Sequence, residues 1–328
     1  MCTSLTLQAD SGNNFLARTM DFGFSLNGKP TVIPRNYKWQ SVFSKDQKTK
    51  YGCVGTGRKI DEYVLADGVN EKGLAIAELY YPNEASYSSI PAPNKLNFAP
   101  HEFILWVLGE IESINELRLR LSEVSIVSSE IKLLGIVPPL HFIITDKTGE
   151  TVVIETNNQQ LNLINNPVGV MTNSPDLNWH IKNLNNYLNL SPTNTPNKKV
   201  NGLNFHPFGQ GSGTFGLPGG LTPPERFVRT AYMKEYIDKS GSNNEVLNNI
   251  FHILNNVTIP KGINMKDDGS VDYTQYRAAF DLNNKVYYFN DYSNQTVYSV
   301  SLTEELVNAT EPTQYDFKNI FTATNLNE

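Results

Sequence analysis

Two cysteines in 328 residues are too few for a disulfide scaffold, and positions 2 and 53 match no cysteine-based zinc pattern. Basic residues number 27 against 33 acidic ones, a formal net charge of −6, with no long run of Lys or Arg. Nucleic acid is therefore not an expected partner, because phosphate binding needs a basic footprint. No stretch approaches the roughly 18 uninterrupted apolar residues of a membrane span. The N-terminus, MCTSLTLQAD, lacks both the basic and the apolar region of a signal peptide. These absences lead us to expect a soluble cytoplasmic protein with no membrane partner and with reduced thiols. The five histidines, His101, His141, His180, His206 and His252, have no metal-ligand spacing, so neither a metal nor a cofactor is expected. Gly209–Gly216 superficially resembles a dinucleotide fingerprint but lacks the strand–turn–helix context, and it also lacks the G-x-S-x-G order of a serine-hydrolase elbow. It reads as a mobile loop lining a site.

What is present suits a folded chain: 18% charged residues, 11% aromatics and enough length to bury a sizeable core. Short β-type runs at 2–8 and 15–21 flank the turn formers Asp10-Ser11-Gly12-Asn13-Asn14. Further strands are expected at 32–34, 38–44, 51–55, 63–67 and 74–81, with 68–73 as a turn. Helices are expected from Pro100 to Ile111 and, behind the capping-box pattern Ser113-Ile114-Asn115-Glu116, from there on. Strands return at 140–145, 151–157, 161–164 and 168–172, followed by a helix at 177–190 and a Pro/Asn/Gly-rich stretch at 191–222. Helices near 223–238 and 244–255 precede closing strands at 273–282, 285–289 and 296–302. With no repeat and no clear linker, residues 1–328 read as one α+β layered sandwich.

Cys2 is the most informative residue. If the initiator Met is removed, its thiol sits beside a free α-amine with an unperturbed pKa of about 7.7–8.0, which can accept the thiol proton and return it to a leaving group. The alternative is a small residue that merely follows Met1. A turn centred on Ser11-Gly12 pairs residues whose numbers sum to about 23, which sets Cys2 opposite Asp21. Asp21 would then hold the α-ammonium. Alternation sends Arg18 to the other face unless a bulge re-aims it. A plain surface ion pair between Arg18 and Asp21 is the competing reading. Arg226 stands in the first turn of a helix that Thr222 and Glu225 would cap, where a cation opposes the macrodipole. That points to another task, or to simple solvent exposure. Cys53 reads as a buried strand thiol.

Cys2, Arg18, Asp21 and Arg226 together resemble the choloylglycine hydrolase family of N-terminal nucleophile hydrolases, which includes conjugated bile salt hydrolases and penicillin V acylases. The resemblance runs through Cys2-Thr3-Ser4, 17–22 (ARTMDF), 33–37 (IPRNY), 67–74 (DGVNEKGL), 169–175 (GVMTNSP), 208–211 (FGQG), 216–219 (GLPG) and 251–254 (FHIL), nearly the whole chain. It implies an αββα four-layer sandwich, a mature chain starting at Cys2 and hydrolysis of a linear amide through a thioester on Cys2. It also implies that Asp21 holds the α-amine, that Arg18 and Arg226 support this network, and that Asn173 and the main-chain N–H of Tyr80 form the oxyanion hole. Tyr80 stands where bile salt hydrolases typically carry Asn and penicillin V acylases Tyr, and 134–141 (LGIVPPLH) is also similar to the acylase branch. The expected substrate is therefore penicillin V-like, with conjugated bile salts as the alternative and a silent ligand-binding homologue as a third reading. Met20, Phe22, Phe24, Tyr63, Tyr80 and Ile136 are the expected lining of an apolar acyl site. The resemblance further implies a homo-oligomer, such as a tetramer.

Overall fold

The structure, a computed structural model, describes residues 1–267 and 269–327. Two antiparallel sheets form its middle layers. The first, in spatial order, contains Val170–Met171, Cys2–Gln8, Asn14–Phe22, Tyr273–Asp281, Val286–Asp291 and Tyr298–Ser301. The second contains Asn162–Asn165, Thr151–Glu155, Leu140–Thr145, Ala75–Tyr80, Asp67–Asn70, Cys53–Lys59, Lys29–Ile33 and Thr313–Gln314, with Tyr63–Leu65 also paired to Cys53–Lys59. Strands from both ends of the chain interleave: Tyr273–Asp281 lies beside Asn14–Phe22, and Thr313–Gln314 beside Lys29–Ile33.

Side-chain alternation builds the layers. Along the second sheet, Ile76, Leu140, Phe142, Ile144, Val152 and Ile154 pack outward against the helices Phe103–Glu110 and Ile114–Arg120. Val54, Val69, Ala77, Leu79, Ile143 and Val153 belong instead to the core shared with the first sheet. Helices Pro223–Tyr236 and Asn243–Asn255 cover the first sheet with Phe227, Val246, Ile250 and Leu254. Each fully buried side chain of the Leu, Ile, Val or Phe type contributes about 1.5–3 kcal/mol. Helix Phe103–Glu110 is apolar on every side and buried along seven of its eight residues. Its last carbonyls are met by a side chain of the sheet beneath: the Asn70 amide donates to Leu108 O at 3.0 Å and Ile111 O at 2.7 Å.

Several expected boundaries shift. Gly68, Val69 and Asn70 are strand rather than turn. A 1.9 Å approach of Asp67 O to any Cβ at position 55 explains Gly55 on the neighbouring strand. The 177–190 helix is α only over Leu177–Asn183. The stretch at 191–222 contains an unexpected exposed ribbon, Lys198–Val200 with Leu203–Phe205. Short strands at Lys45–Lys48, Leu96–Phe98, Val124–Ile126 and Thr313–Gln314 carried no alternation long enough to read. No described helix is long and apolar enough to cross a membrane.

Candidate active site

The hairpin turn decides what surrounds Cys2. Ala9 N–H donates to Asn13 O and Gly12 N–H to Ala9 O, both at 2.8 Å, and Gly12 has a φ of 89°. This is a three-residue loop with glycine in its left-handed position. Residues therefore pair with numbers summing to 22, and Cys2 faces Met20 rather than Asp21. One step of register reverses every face. Cys2, Arg18 and Met20 share a face without any bulge between their strands, while Asp21 points to the other side. The expected Cys2–Asp21 pairing is corrected accordingly.

On the inner face, Arg18 Nη2 donates to Cys2 Sγ at 3.2 Å, and the Met20 thioether lies 3.8 Å from that sulfur. The guanidinium is completely buried. It pairs with Asp67 on the second sheet at 3.3 Å and donates to Ala66 O at 3.1 Å and Thr19 O at 3.2 Å. Asp67 is in turn held by the Tyr276 hydroxyl at 2.6 Å, the Tyr287 hydroxyl at 3.1 Å and Thr56 N–H at 2.9 Å. Burial opposes the charge on Arg18, but Tyr276, Cys2, Asp67 and Glu78 outweigh it and hold its pKa above the usual arginine value. A permanent cation against the sulfur stabilises the negative charge that a thiolate carries.

The opposite face is organised by Arg226, at the start of helix Pro223–Tyr236. It is completely buried and donates to Cys2 O and Thr3 Oγ1 at 2.5 Å each, to Asn173 Oδ1 at 2.7 Å and to Leu221 O at 2.9 Å. Those four acceptors account for a cation at a helix start. Thr222 does not cap the helix through its side chain; its hydroxyl donates to the Glu225 carboxylate at 2.6 Å. Asp21 accepts from the Thr274 hydroxyl at 2.5 Å and from Thr19 at 3.2 Å. Burial raises its pKa, opposed by Arg226, the amino terminus and Thr274. With Met1 in place, Met1 N donates to Asp21 O at 2.7 Å, and Asp21 N–H donates to Met1 O at 3.0 Å.

Asn173 joins the two faces. Its Oδ1 accepts from Cys2 N–H at 2.9 Å and its Nδ2 donates to Tyr80 O at 2.7 Å, leaving one Nδ2–H uncommitted by these contacts. His180, stacked on Phe227 at 4.6 Å, donates from Nε2 to Asn173 O at 2.9 Å. Burial lowers the pKa of His180, which favours the neutral ring.

Phe22 lies edge-to-face with Phe24 at 5.2 Å and with Tyr80 at 5.3 Å, so Met20, Phe22, Phe24 and Tyr80 gather beside Cys2. Tyr63 makes no ring contact with this group among the described residues, though it packs against the same outer core cluster as Tyr80. Tyr63 packs on Tyr37 at 6.1 Å and lines a separate cavity of about 300 Å³ with Ile131, while Ile136 is exposed on the adjoining loop. The 209–216 segment makes its hydrogen bonds to other segments with 189–195, and Phe215 is exposed. Cys53 is fully buried and burial pushes its thiol up to about 12, which leaves it inert. Residues that sequence reasoning missed are Asp67, Tyr276, Tyr287, Thr274 and His180. The one available signal was the place of Asp67 at the head of 67–74 (DGVNEKGL), one of the segments that carry the resemblance.

Residues 2–315 match the linear amide C–N hydrolases of the choloylglycine hydrolase family. The chain belongs to this family. A bile salt hydrolase/transferase from Clostridium perfringens (strain 13 / Type A) is 35% identical over 331 residues, covering 100% of both chains. A crystal structure of a mutant conjugated bile acid hydrolase from Clostridium perfringens shares the fold with a TM-score of 0.92, 34% identity and 100% coverage of both chains. The four-layer αββα sandwich is thus that of the N-terminal nucleophile hydrolases, and the protein is a hydrolase of the linear-amide class. A penicillin V acylase from Pectobacterium atrosepticum is 23% identical, over 87% of this chain and 76% of that one. The expected order of substrates is therefore reversed: similarity favours the bile salt branch over the penicillin V acylase branch that Tyr80 suggested.

Proposed function

We propose that the protein hydrolyses conjugated bile salts, releasing glycine or taurine, with Cys2 as nucleophile once Met1 is removed. The observation that carries the mechanism is the Cys2 sulfur seated 3.2 Å from the buried Arg18 guanidinium, with its main-chain nitrogen tethered to Asn173. Similarity over the full length to a bile salt hydrolase supports the substrate class. The thiol gives its proton to the free α-amine of Cys2 and the sulfur attacks the amide carbonyl. The oxyanion takes the remaining Asn173 Nδ2–H and the main-chain N–H of Tyr80. The C–N bond breaks as the α-ammonium protonates the departing amine, leaving a thioester on Cys2. A water molecule, deprotonated by the same amine, then frees the acid and restores the thiol. Arg226 fixes the carbonyl side of Cys2, and Asp21, whose main chain holds Met1 before its removal, is the group we assign to the α-ammonium afterwards.

Kinetics on glycocholate, taurocholate and penicillin V, run side by side, test the reading. A kcat/KM higher for the two bile salts supports it; a preference for penicillin V returns the chain to the acylase branch, and turnover of none leaves the binding homologue. Cys2→Ala should abolish hydrolysis with the fold retained, and full activity in that variant excludes the mechanism. Intact-mass spectrometry of the purified chain should show Met1 absent.

A further inference from the structure

Buried polar groups in this fold are usually well satisfied. Glu102, for instance, accepts from Val42 N–H, Ala99 N–H and the Ser41 hydroxyl, and the Tyr87 hydroxyl accepts from Leu140 N–H and donates to Pro138 O. Several enclosed side-chain atoms among the described residues lack a partner, and two of them lie on the strand Ala75–Tyr80, beside the site. Glu78 Oε2 and the Tyr80 hydroxyl are both enclosed, and neither has a hydrogen-bond partner among the described residues. They are two residues apart on one strand and share its face. Enclosed polar groups without partners are uncommon, and each costs stability.

Both groups belong to the surroundings of the nucleophile. Tyr80 feels the charges of Glu78 and Cys2, its ring meets Phe22 at 5.3 Å, and its carbonyl holds Asn173. Glu78 feels Arg18 and Asp67. Burial raises its pKa to about 8, partly offset by Arg18, so near neutral pH it is chiefly a carboxylic acid, able to donate and to accept.

We propose that Glu78 and Tyr80 form a polar subsite that takes one of the variable ring hydroxyls, those present in some bile acids and missing in others, on the acyl half of the substrate. A hydroxyl between them donates to Glu78 Oε2 and accepts from the Tyr80 phenol, which satisfies both groups at once. An acyl chain without it leaves both unpaired, and sites of that kind discriminate strongly against the analogue lacking the group. This specificity rests on the bile salt reading, whose acyl half is a hydroxylated steroid.

The test compares kcat/KM for glycocholate, with three ring hydroxyls, against glycodeoxycholate and glycochenodeoxycholate, each lacking one of them. The wild-type chain should prefer glycocholate over at least one of the two by about tenfold. Glu78→Ala and Tyr80→Phe should bring that ratio towards 1, and Glu78→Gln, which keeps a donor and an acceptor, should retain most of it. Ratios within twofold for both pairs, or a ratio unchanged in Glu78→Ala, overturn the subsite. Should the chain cleave none of the three, the bile salt reading fails on its own. Calorimetric binding of free cholate, deoxycholate and chenodeoxycholate then decides the subsite, equal affinities refuting it. If Glu78→Ala does not fold, Glu78→Gln and Tyr80→Phe carry the comparison, and an unchanged ratio in Tyr80→Phe likewise refutes the proposal.

Discussion

Two hairpins in this chain, each closed by a turn of small polar residues, meet opposite fates. In Cys2–Gln8 with Asn14–Phe22, every residue from Cys2 to Leu7 and from Asn14 to Asp21 is buried. In Lys198–Val200 with Leu203–Phe205, every residue is exposed. Neighbours make the difference. The N-terminal hairpin has Val170–Met171 on one edge, Tyr273–Asp281 on the other, a helix layer on one face and a second sheet on the other. The 198–205 ribbon is a separate two-stranded sheet and keeps an apolar surface in the open: Leu203 is 65% exposed, Phe215 in the same stretch is 86% exposed, and Phe208 is fully exposed. An isolated two-stranded ribbon is marginal in water. The buried hairpin can therefore hold charges in a fixed arrangement, and the exposed one cannot.

The largest expected effect comes from breaking that fixed arrangement. Arg18→Met leaves Asp67 buried with hydrogen bonds but no cation, and removing one partner of a buried pair costs about 3–5 kcal/mol. Denaturant unfolding should show this loss, together with loss of hydrolysis. Adding Asp67→Asn to Arg18→Met should recover part of the stability and none of the activity. A loss below about 1 kcal/mol for Arg18→Met, the range of exposed pairs, would place the ion pair with surface contacts and remove the contrast between the hairpins.

The same contrast governs what could be read from residues alone. The strands at 2–8 and 15–21 were legible, because turn formers between two apolar runs leave few other solutions. Their register was not: it hinges on whether the loop has two residues or three, and Gly12 in its left-handed position fixes three. That single step decides whether Cys2 sees Asp21 or Arg18. The roles of Cys2, Arg18, Asp21, Asn173 and Arg226 were suggested by family resemblance, and the structure brings all five into one connected group. Asp67 escaped notice because its contacts with Arg18 and Tyr276 join the two sheets, and Tyr276 because its strand comes from the far end of the chain to pair with Asn14–Phe22; no local pattern encodes either. The ribbon escaped because its strands are three residues long.

Glu78 should make stability pH-dependent. Its carboxyl is raised from the ordinary 4.5 to about 8 in the folded chain. Between those values the folded state retains a proton that the unfolded state has released, so stability falls as pH rises through this window and levels off above it. Glu78→Gln should remove that slope and gain on the wild type by no more than about 3 kcal/mol at pH 8, since part of the side chain is open to solvent. Unfolding midpoints at pH 5 and pH 8 in both proteins measure it. Buried histidines such as His141, lowered to about 3 by burial, act in the opposite sense at lower pH, but they are common to both proteins and cancel in the difference. Equal slopes would mean that Glu78 ionises freely.

Arg226→Lys is a smaller perturbation, because a cation remains beside Cys2. One ammonium cannot reproduce the planar fork that reaches Cys2 O, Thr3, Asn173 and Leu221 together. A stability loss of about 1–2 kcal/mol is expected, with kcat falling about tenfold as the Cys2 backbone and Asn173 loosen. A change in KM alone, at unchanged kcat, would assign Arg226 to substrate binding rather than to positioning the nucleophile.

At the other extreme, Phe208→Ser with Phe215→Ser should leave the stability of the isolated chain within about 0.5 kcal/mol, since neither ring is packed in the monomer. Exposed rings also let the homo-oligomer expected from the family resemblance be tested here, because apolar surface of this kind can serve as a contact face. Sedimentation of the double variant should then show a smaller species than the wild type, while the Arg18–Asp67 cluster keeps its pH and denaturant profile. Loss of folding stability in the double variant at concentrations where both proteins are monomeric would show that the rings pack within their own chain, and the two hairpins would no longer be opposites.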